Sequence, residues 1–120
     1  MIEKEFIPYE LALELKQLGF DEPCFASYYH AGRKLDICEY INHGEYTVLA
    51  PTYSQAFRWF RDKHELSSWV YNSHIDKYFY TILQDGRIVK ANESVTTYEE
   101  AELACLKKLI EIVKTYGGNK

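Results

Sequence analysis

The chain has 120 residues and a formal net charge of −4, and 47% of its residues are hydrophobic and 27% charged. This length and composition suit one folded domain, residues 1–120, and exclude a disordered chain. The acidic balance disfavours nucleic acid as the main partner, because phosphate neutralisation supplies most of that affinity. No apolar run approaches the ~20 residues that cross a bilayer, so no membrane partner is expected.

Two helices are predicted in the first half of the chain. The first covers residues 8–18, where proline is tolerated in the first turn, and Gly19 supplies a left-handed stop. The second covers residues 53–64. It begins with a capping box, in which the Thr52 hydroxyl accepts a helix N–H and the Gln55 side chain returns to Thr52.

A third helix is predicted over Tyr98–Tyr116, with Thr97 and Glu100 as its capping box. Its apolar positions cover an arc of roughly 200° at 100° per residue, wider than a helix needs to pack on one sheet. This arc indicates either burial on several sides or a homo-oligomer formed through the helix. Glu102 lies near the middle of the arc. Its carboxylate needs a partner there, or marks a site for a small ligand.

Six strands are predicted between the helices, at residues 24–29, 34–41, 45–49, 68–74, 77–84 and 87–90. The pair Asp85-Gly86 is typical of a two-residue hairpin turn. Residues 77–84 are apolar or aromatic on both faces, which predicts a central strand covered on both sides. The fold class is therefore α+β, a mostly antiparallel sheet with three helices in the order αβββ-αβββ-α.

The three helix starts share a Tyr-x-x-Ala pattern. Tyr9, Tyr53 and Tyr98 are separated by 44 residues (53 − 9) and 45 residues (98 − 53). Phe25 corresponds to Trp69 in this alignment. One interpretation is an internal duplication of an αβββ unit; the other is that helix starts share the same local chemistry.

The N-terminal segment MIEKEFIPYE has no basic region followed by an apolar run, so a secretory signal is not indicated and a cytoplasmic location is expected. Cys24, Cys38 and Cys105 are then predicted to be reduced thiols that serve as small buried hydrophobic residues.

No metal, cofactor or catalytic group is expected. Cys38 and His43 approach ligand spacing, but no second pair completes a site, and the remaining histidines are scattered: His30, His64 and His74. Glycine-rich nucleotide motifs and nucleophile motifs are absent from the sequence. The sequence gives no support for an enzyme.

Tyrosine is over-represented, with 11 residues, and it suits surfaces that are both wet and adhesive. Arg58, Trp59 and Arg61 mix basic and aromatic character on one helix, which indicates either an interface anchor or a solvated helix face. The complete set of candidate interaction residues is Arg58, Trp59, Arg61, Trp69, Tyr71, Tyr78 and Tyr80.

Four segments resemble a family of small uncharacterised proteins encoded by phages and prophages of Bacteroides-type bacteria. They are IPYELA (7–12), LGFDEPC (18–24), APTYSQAFRWFR (50–61) and YEEAELACL (98–106). The resemblance implies a phage-derived accessory protein in a bacterial cytoplasm. No catalytic residue follows from it, because no activity is assigned to the family.

These observations favour a non-enzymatic interaction module that acts on a host or phage protein, or on a second copy of itself through Tyr98–Tyr116. The first alternative is nucleic-acid binding by the helix from Arg58 to Lys63, whose basic and aromatic side chains suit phosphates and bases. The second is an enzyme or small-ligand binder with a pocket near Glu102.

Overall fold

The structure is a computed structural model that describes residues 2–29, 34–41, 47–91 and 94–116. The chain divides into two compact units, Met1–Gln55 and Ala56–Lys120. The single domain expected from the length stays a prediction.

The helices and strands follow the predicted order. A short 3-10 helix at Ile2–Glu5 precedes the regular elements, which are α1 (Tyr9–Gln17), β1 (Cys24–Tyr29), β2 (Leu35–Ile41), β3 (Thr47–Leu49), α2 (Tyr53–His64), β4 (Leu66–His74), β5 (Lys77–Gln84), β6 (Arg87–Ala91) and α3 (Tyr98–Tyr116). The α+β class and the order αβββ-αβββ-α are therefore confirmed. The strands form two three-stranded antiparallel sheets, β2-β1-β3 and β4-β5-β6.

The core of the first unit lies where α1 meets the sheet around β1. Helix α1 buries Leu11 and Leu15, and beyond its C-cap residue Leu18 comes Gly19, which has a φ of 102° as a left-handed stop requires. The Tyr28 ring lies edge-on to the Tyr9 ring at 5.5 Å, and its hydroxyl donates a buried 2.8 Å hydrogen bond to the Ile7 carbonyl. This bond ties the segment before α1 to the central strand.

Replacing Tyr28 by Phe is expected to lower the free energy of unfolding by about 1–3 kcal/mol, because the Ile7 carbonyl loses the donor that satisfies it in a buried position. Urea unfolding of the two proteins measures the difference. Tyr29→Phe, on an exposed ring of the same strand, is the matched control and should change stability by less than about 0.5 kcal/mol. Equal effects of the two substitutions would contradict the assignment.

The second unit is built on a meander of three strands. Asp85 and Gly86 join β5 to β6 with φ values of 54° and 77°, the left-handed pair that a type I′ hairpin turn needs. Strand β5 is central, as predicted, and buries Tyr80, Thr81 and Ile82 in succession on both of its faces. Helix α3 packs against β4 and β5.

The predicted apolar arc of α3 is buried within the chain. Its buried residues are Ala101, Cys105, Leu106, Leu109, Ile110, Ile112 and Val113, while Leu103 and Glu102 are half-buried. The width of the arc is therefore accounted for without a second copy of the chain. Self-association through α3 stays a prediction, but the wide apolar arc no longer supports it, because the chain itself buries that arc.

The predicted capping box at the start of α3 is confirmed. The Thr97 hydroxyl accepts a hydrogen bond from the Glu100 N–H at 3.1 Å, and the Glu100 carboxylate accepts one from the Thr97 N–H at 3.1 Å. The Thr96 hydroxyl also donates to this carboxylate at 2.7 Å. Hydrogen bonds from Thr96 and then Thr97 lower the pKa of Glu100 below its ordinary value of 4.5.

A pH dependence follows from the lowered pKa of Glu100. The charged carboxylate stabilises the fold above the unfolded pKa near 4.5, and this contribution is lost as the pH falls through the lower folded value. We expect Glu100→Gln to lower the melting temperature at pH 7 and to match the parent at acid pH. In a Thr96→Ala background the effect at pH 7 should shrink. A Glu100→Gln effect that is the same at both pH values would contradict this linkage.

The buried face of helix α2 is shifted from the predicted one. Helical spacing predicts an apolar face of Tyr53, Ala56, Phe57 and Phe60 with Trp59 at its edge. The structure instead buries Ala56, Trp59 and Phe60 and leaves Tyr53 and Phe57 half-buried. At 100° per residue the buried arc is rotated by roughly 60° towards Trp59. The Trp59 ring lies edge-on to Phe60 at 5.0 Å and to His64 at 4.9 Å.

The two units differ in strand order. The first strand is central in β2-β1-β3, whereas the second strand is central in β4-β5-β6. A duplicated αβββ unit is expected to keep its strand order, so the topology gives the duplication no support. The shared Tyr-x-x-Ala starts agree with the other interpretation, in which each helix begins with similar local chemistry.

Candidate interaction surface

The sheet of the second unit has one face turned towards α3. The Tyr78 ring lies edge-on to the Tyr98 ring of α3 at 6.1 Å. Tyr80 is buried with only 4% of its surface exposed; burial and then the nearby Cys105 thiol raise the pKa of its hydroxyl. Because alternate residues of a strand share a face, Tyr78, Tyr80 and Ile82 all point towards α3.

The opposite face of this sheet is aromatic. Cross-strand pairs place Trp69 beside Thr81, Tyr71 beside Phe79, and Leu83 beside Ile88. The rings of Tyr71 and Phe79 are stacked, with centroids 5.5 Å apart and an angle of 19° between their planes. We call these six residues the outer aromatic face: Trp69, Tyr71, Phe79, Thr81, Leu83 and Ile88.

Three members of the outer aromatic face are strongly exposed. Trp69 keeps 45% of its surface accessible, Tyr71 39% and Ile88 67%. Large exposed apolar side chains that share one face are a feature of interaction sites, whereas isolated ones are ordinary. None of the six residues is charged, and Lys77, at the start of β5, lies two residues from Phe79 on the same strand.

The structure divides the candidate interaction residues into separate groups. Trp69 and Tyr71 lie together on the outer aromatic face, whereas Tyr78 and Tyr80 lie on the opposite face of the same sheet. Tyr80 is buried, and Tyr78 is half-buried against α3, so neither offers a free ring to a partner.

The basic residues of α2 keep their predicted exposure. Arg58 and Arg61 are exposed, and the Arg61 Nε atom lies 3.8 Å from the Asp62 carboxylate. Trp59 is only 4% exposed, however, and therefore cannot anchor an interface or stack on a base from this helix. Of the mixed basic and aromatic surface expected on α2, only the basic residues Arg58 and Arg61 are exposed.

Glu102 is half-buried rather than enclosed. It lies near Tyr98 and Cys105, and its charge adds to the effect of burial in raising the pKa of both groups. The Ser68 hydroxyl is buried without a hydrogen-bond partner among the described residues. It lies close enough to the Cys105 thiol to oppose the rise in pKa, although the two groups do not meet hydrogen-bond geometry.

The thiols of Cys24 and Cys105 are expected to resist modification in the folded protein. Burial is the largest cause that raises the pKa of each to about 12, so the reactive thiolate is scarce at neutral pH. Titration with a thiol reagent at pH 8 should label neither residue at the rate of a free cysteine. Denaturant should restore full reactivity, and rapid labelling of Cys105 without denaturant would contradict the burial of its sulfur.

Sequence reasoning missed Phe79 and Ile88 as parts of the surface. The signal for Phe79 was present, because an aromatic residue on each face of β5 means that one ring faces away from α3. The signal for Ile88 was present as well, because a two-residue turn at Asp85-Gly86 pairs Gln84 with Arg87 and Leu83 with Ile88, before the register shift between Leu83 and Ile82.

No described group of three or more His, Cys, Asp or Glu side chains is arranged to hold a metal ion. The side chains of His30, Cys38, His43 and His74 lie outside the described part of the chain. Among the described helices, none combines the length and apolar character needed to cross a membrane.

Comparisons with known proteins give no match. No family model fits the chain, and neither a curated protein nor a solved structure is similar to it. The resemblance to phage-encoded proteins stays a prediction.

Proposed function

We propose that the chain is a non-enzymatic protein–protein interaction module whose contact surface is the outer aromatic face. The observation that supports this proposal is the exposure of Trp69 and Tyr71, two residues apart on one strand and on the same face of the sheet. Trp and Tyr are the residues most often found as energetic anchors of interfaces, since each buries a large rigid ring at low entropic cost.

The chemistry of the outer aromatic face favours a protein partner with an apolar surface. A nucleic acid would need basic residues beside the rings to neutralise its phosphates, and the six residues of the face carry no charge. The hydroxyl of Tyr71 can still hydrogen-bond to a partner backbone. The face thus favours a partner protein that presents apolar side chains, and the resemblance to phage-encoded proteins implies a phage or host protein of the bacterial cytoplasm.

The size of the sheet limits how much of the interface it provides. Strand β5 has 8 residues. It is thus about 26 Å long, and three strands are about 14 Å wide. The face then offers roughly 360 Å², about half of the ~800 Å² that each partner contributes to a standard interface. The partner should therefore also contact residues at the rim of the sheet.

The two alternatives derived from the sequence have less support. Nucleic-acid binding by the helix from Arg58 to Lys63 loses its aromatic component, because Trp59 is buried. A ligand site near Glu102 would use a half-buried carboxylate and the Ser68 hydroxyl, which has no hydrogen-bond partner among the described residues. No further observation on the described residues indicates a ligand there. Both alternatives are outcomes of the experiment that tests the proposal.

The experiment places a photo-crosslinking phenylalanine analogue at Tyr71 in bacterial cells that produce the protein. A matched variant carries the analogue at Lys107, an exposed position on α3. We expect one protein to be cross-linked from position 71 and absent from position 107. The proposal then requires that this protein, once purified, binds the parent chain and that binding survives nuclease and high salt.

Three results would overturn the proposal. The first is cross-linking of position 71 to nucleic acid, and the second is an identical set of products from positions 71 and 107. The third is a cross-linked dimer of the chain as the sole product, which would make a second copy the occupant of the outer aromatic face.

A further inference from the structure

Strand β6 forms an open edge of the sheet in the second unit. In the order β4-β5-β6, it has a strand neighbour on one side only within the described part of the chain. All five of its residues, Arg87–Ala91, are exposed. An edge strand presents backbone N–H and C=O groups that can pair with a further strand.

The two faces of β6 differ in chemistry. The pairs Gln84↔Arg87 and Ile82↔Lys90 place both basic residues on the side of α3, whereas Leu83↔Ile88 places Ile88 on the outer aromatic face. Lys90 lies close enough to Glu111 of α3 to help lower the pKa of that carboxyl, after the larger effect of Lys108. Arg87 and Lys90 therefore lie on the α3 side of β6, and Glu111 is an acidic residue of α3 close to Lys90.

The charge of β6 argues against a second copy as the occupant of this edge. Basic residues on an edge strand repel an identical strand, and they are a common means of preventing self-pairing. The chain as a whole carries a net charge of −4, so this basic edge contrasts with the rest of the molecule. An acidic strand would be attracted by the same basic residues that repel a second copy of β6.

We propose that the β6 edge binds an extended acidic segment of a partner protein as an additional strand of the sheet. Acidic side chains of the segment lie on the α3 side, facing Arg87 and Lys90, and alternate with apolar side chains on the side of Ile88. Backbone hydrogen bonds supply affinity, and the two faces of β6 select an alternating acidic and apolar sequence. This inference goes beyond the proposed function, because the edge can bind such a segment whether or not the outer aromatic face has its own partner.

The test uses fluorescent peptides of about ten residues, the upper length of an ordinary strand. One peptide alternates Glu and Val, and its counterpart alternates Lys and Val. Fluorescence anisotropy at low salt measures their binding to the purified full chain. We expect the Glu–Val peptide to bind and to weaken as salt rises, and the Lys–Val peptide not to bind.

Charge reversal locates the peptide. Arg87→Glu together with Lys90→Glu should weaken binding of the Glu–Val peptide on the order of tenfold or more, since two attractive pairs become repulsive. Lys107→Glu makes the same kind of charge change at an exposed position of α3 and should have little effect. The melting temperature of each variant verifies that it is folded.

Backbone methylation distinguishes strand addition from simple charge attraction. Two Glu–Val peptides carry N-methyl groups on alternate residues in the two possible sets. A peptide paired with β6 turns one set of N–H groups towards the edge, so one methylated peptide should lose binding and the other should keep it. Equal binding by both methylated peptides, or equal effects of the β6 and Lys107 charge reversals, would overturn the proposal. Because the probes are synthetic, these outcomes are independent of the partner of the outer aromatic face.

Discussion

The Phe60→Ala variant is expected to lose about 3–5 kcal/mol of unfolding free energy. Phe60 is fully buried and is among the largest side chains with no exposed surface. Truncation removes the ring from a closely packed interior and leaves a cavity that the neighbouring Trp59 ring, 5.0 Å away, can fill only in part. Urea denaturation followed by circular dichroism gives the difference in unfolding free energy directly.

Two further variants keep the Phe60 prediction testable if Phe60→Ala is too unstable to purify. Phe60→Leu retains most of the buried volume and should cost about 1–1.5 kcal/mol. Arg61→Ala changes the next residue, which is exposed, and should stay within about 0.5 kcal/mol of the parent. A Phe60→Leu protein as stable as the parent would contradict the position of Phe60 in the core.

The second large effect is expected on binding. Trp69→Ala should weaken the complex with the partner captured from position 71 by about 2 kcal/mol or more, a factor of roughly 30. The loss is expected because the exposed part of the indole becomes buried against the partner, whereas Ala leaves that contact empty. Isothermal titration calorimetry with purified proteins measures the change in affinity.

The Trp69 prediction has two controls. Since 45% of the Trp69 surface is exposed in the free protein, the variant should fold normally, as its melting temperature will report. Phe25→Ala removes an exposed aromatic residue from the sheet of the other unit and should leave the affinity unchanged. Equal losses for the two variants would mean that binding does not depend specifically on the outer aromatic face.

The two proposed surfaces of the second unit meet at Ile88. The outer aromatic face includes this residue through its pairing with Leu83, and the β6 edge includes it as part of Arg87–Ala91. A single partner can therefore place apolar side chains on the rings and continue as an acidic strand along the edge. Such an arrangement would provide the contact area that the outer aromatic face alone does not offer.

The sequence by itself determined the elements of this protein, because their signals are local. Capping residues such as Thr97 and Glu100 satisfy backbone groups within a few positions of each other, so the start of α3 is encoded where it occurs. The same holds for the hairpin turn at Asp85-Gly86, whose positive φ values suit those two residue types. Helical periodicity was sufficient to predict the buried face of α3, since most of its apolar arc is buried.

Only the tertiary structure decided how the strands pair and which aromatic residues are free. Strand order depends on contacts between residues distant in sequence, so similar helix starts could precede sheets with different central strands. Both faces of β5 are apolar, and a period of two cannot tell which face α3 covers; this choice buries Tyr80 and exposes Tyr71. Trp59 became a core residue because the buried arc of α2 is rotated towards it, and helical periodicity does not fix that rotation when an aromatic residue lies at the edge of the apolar face.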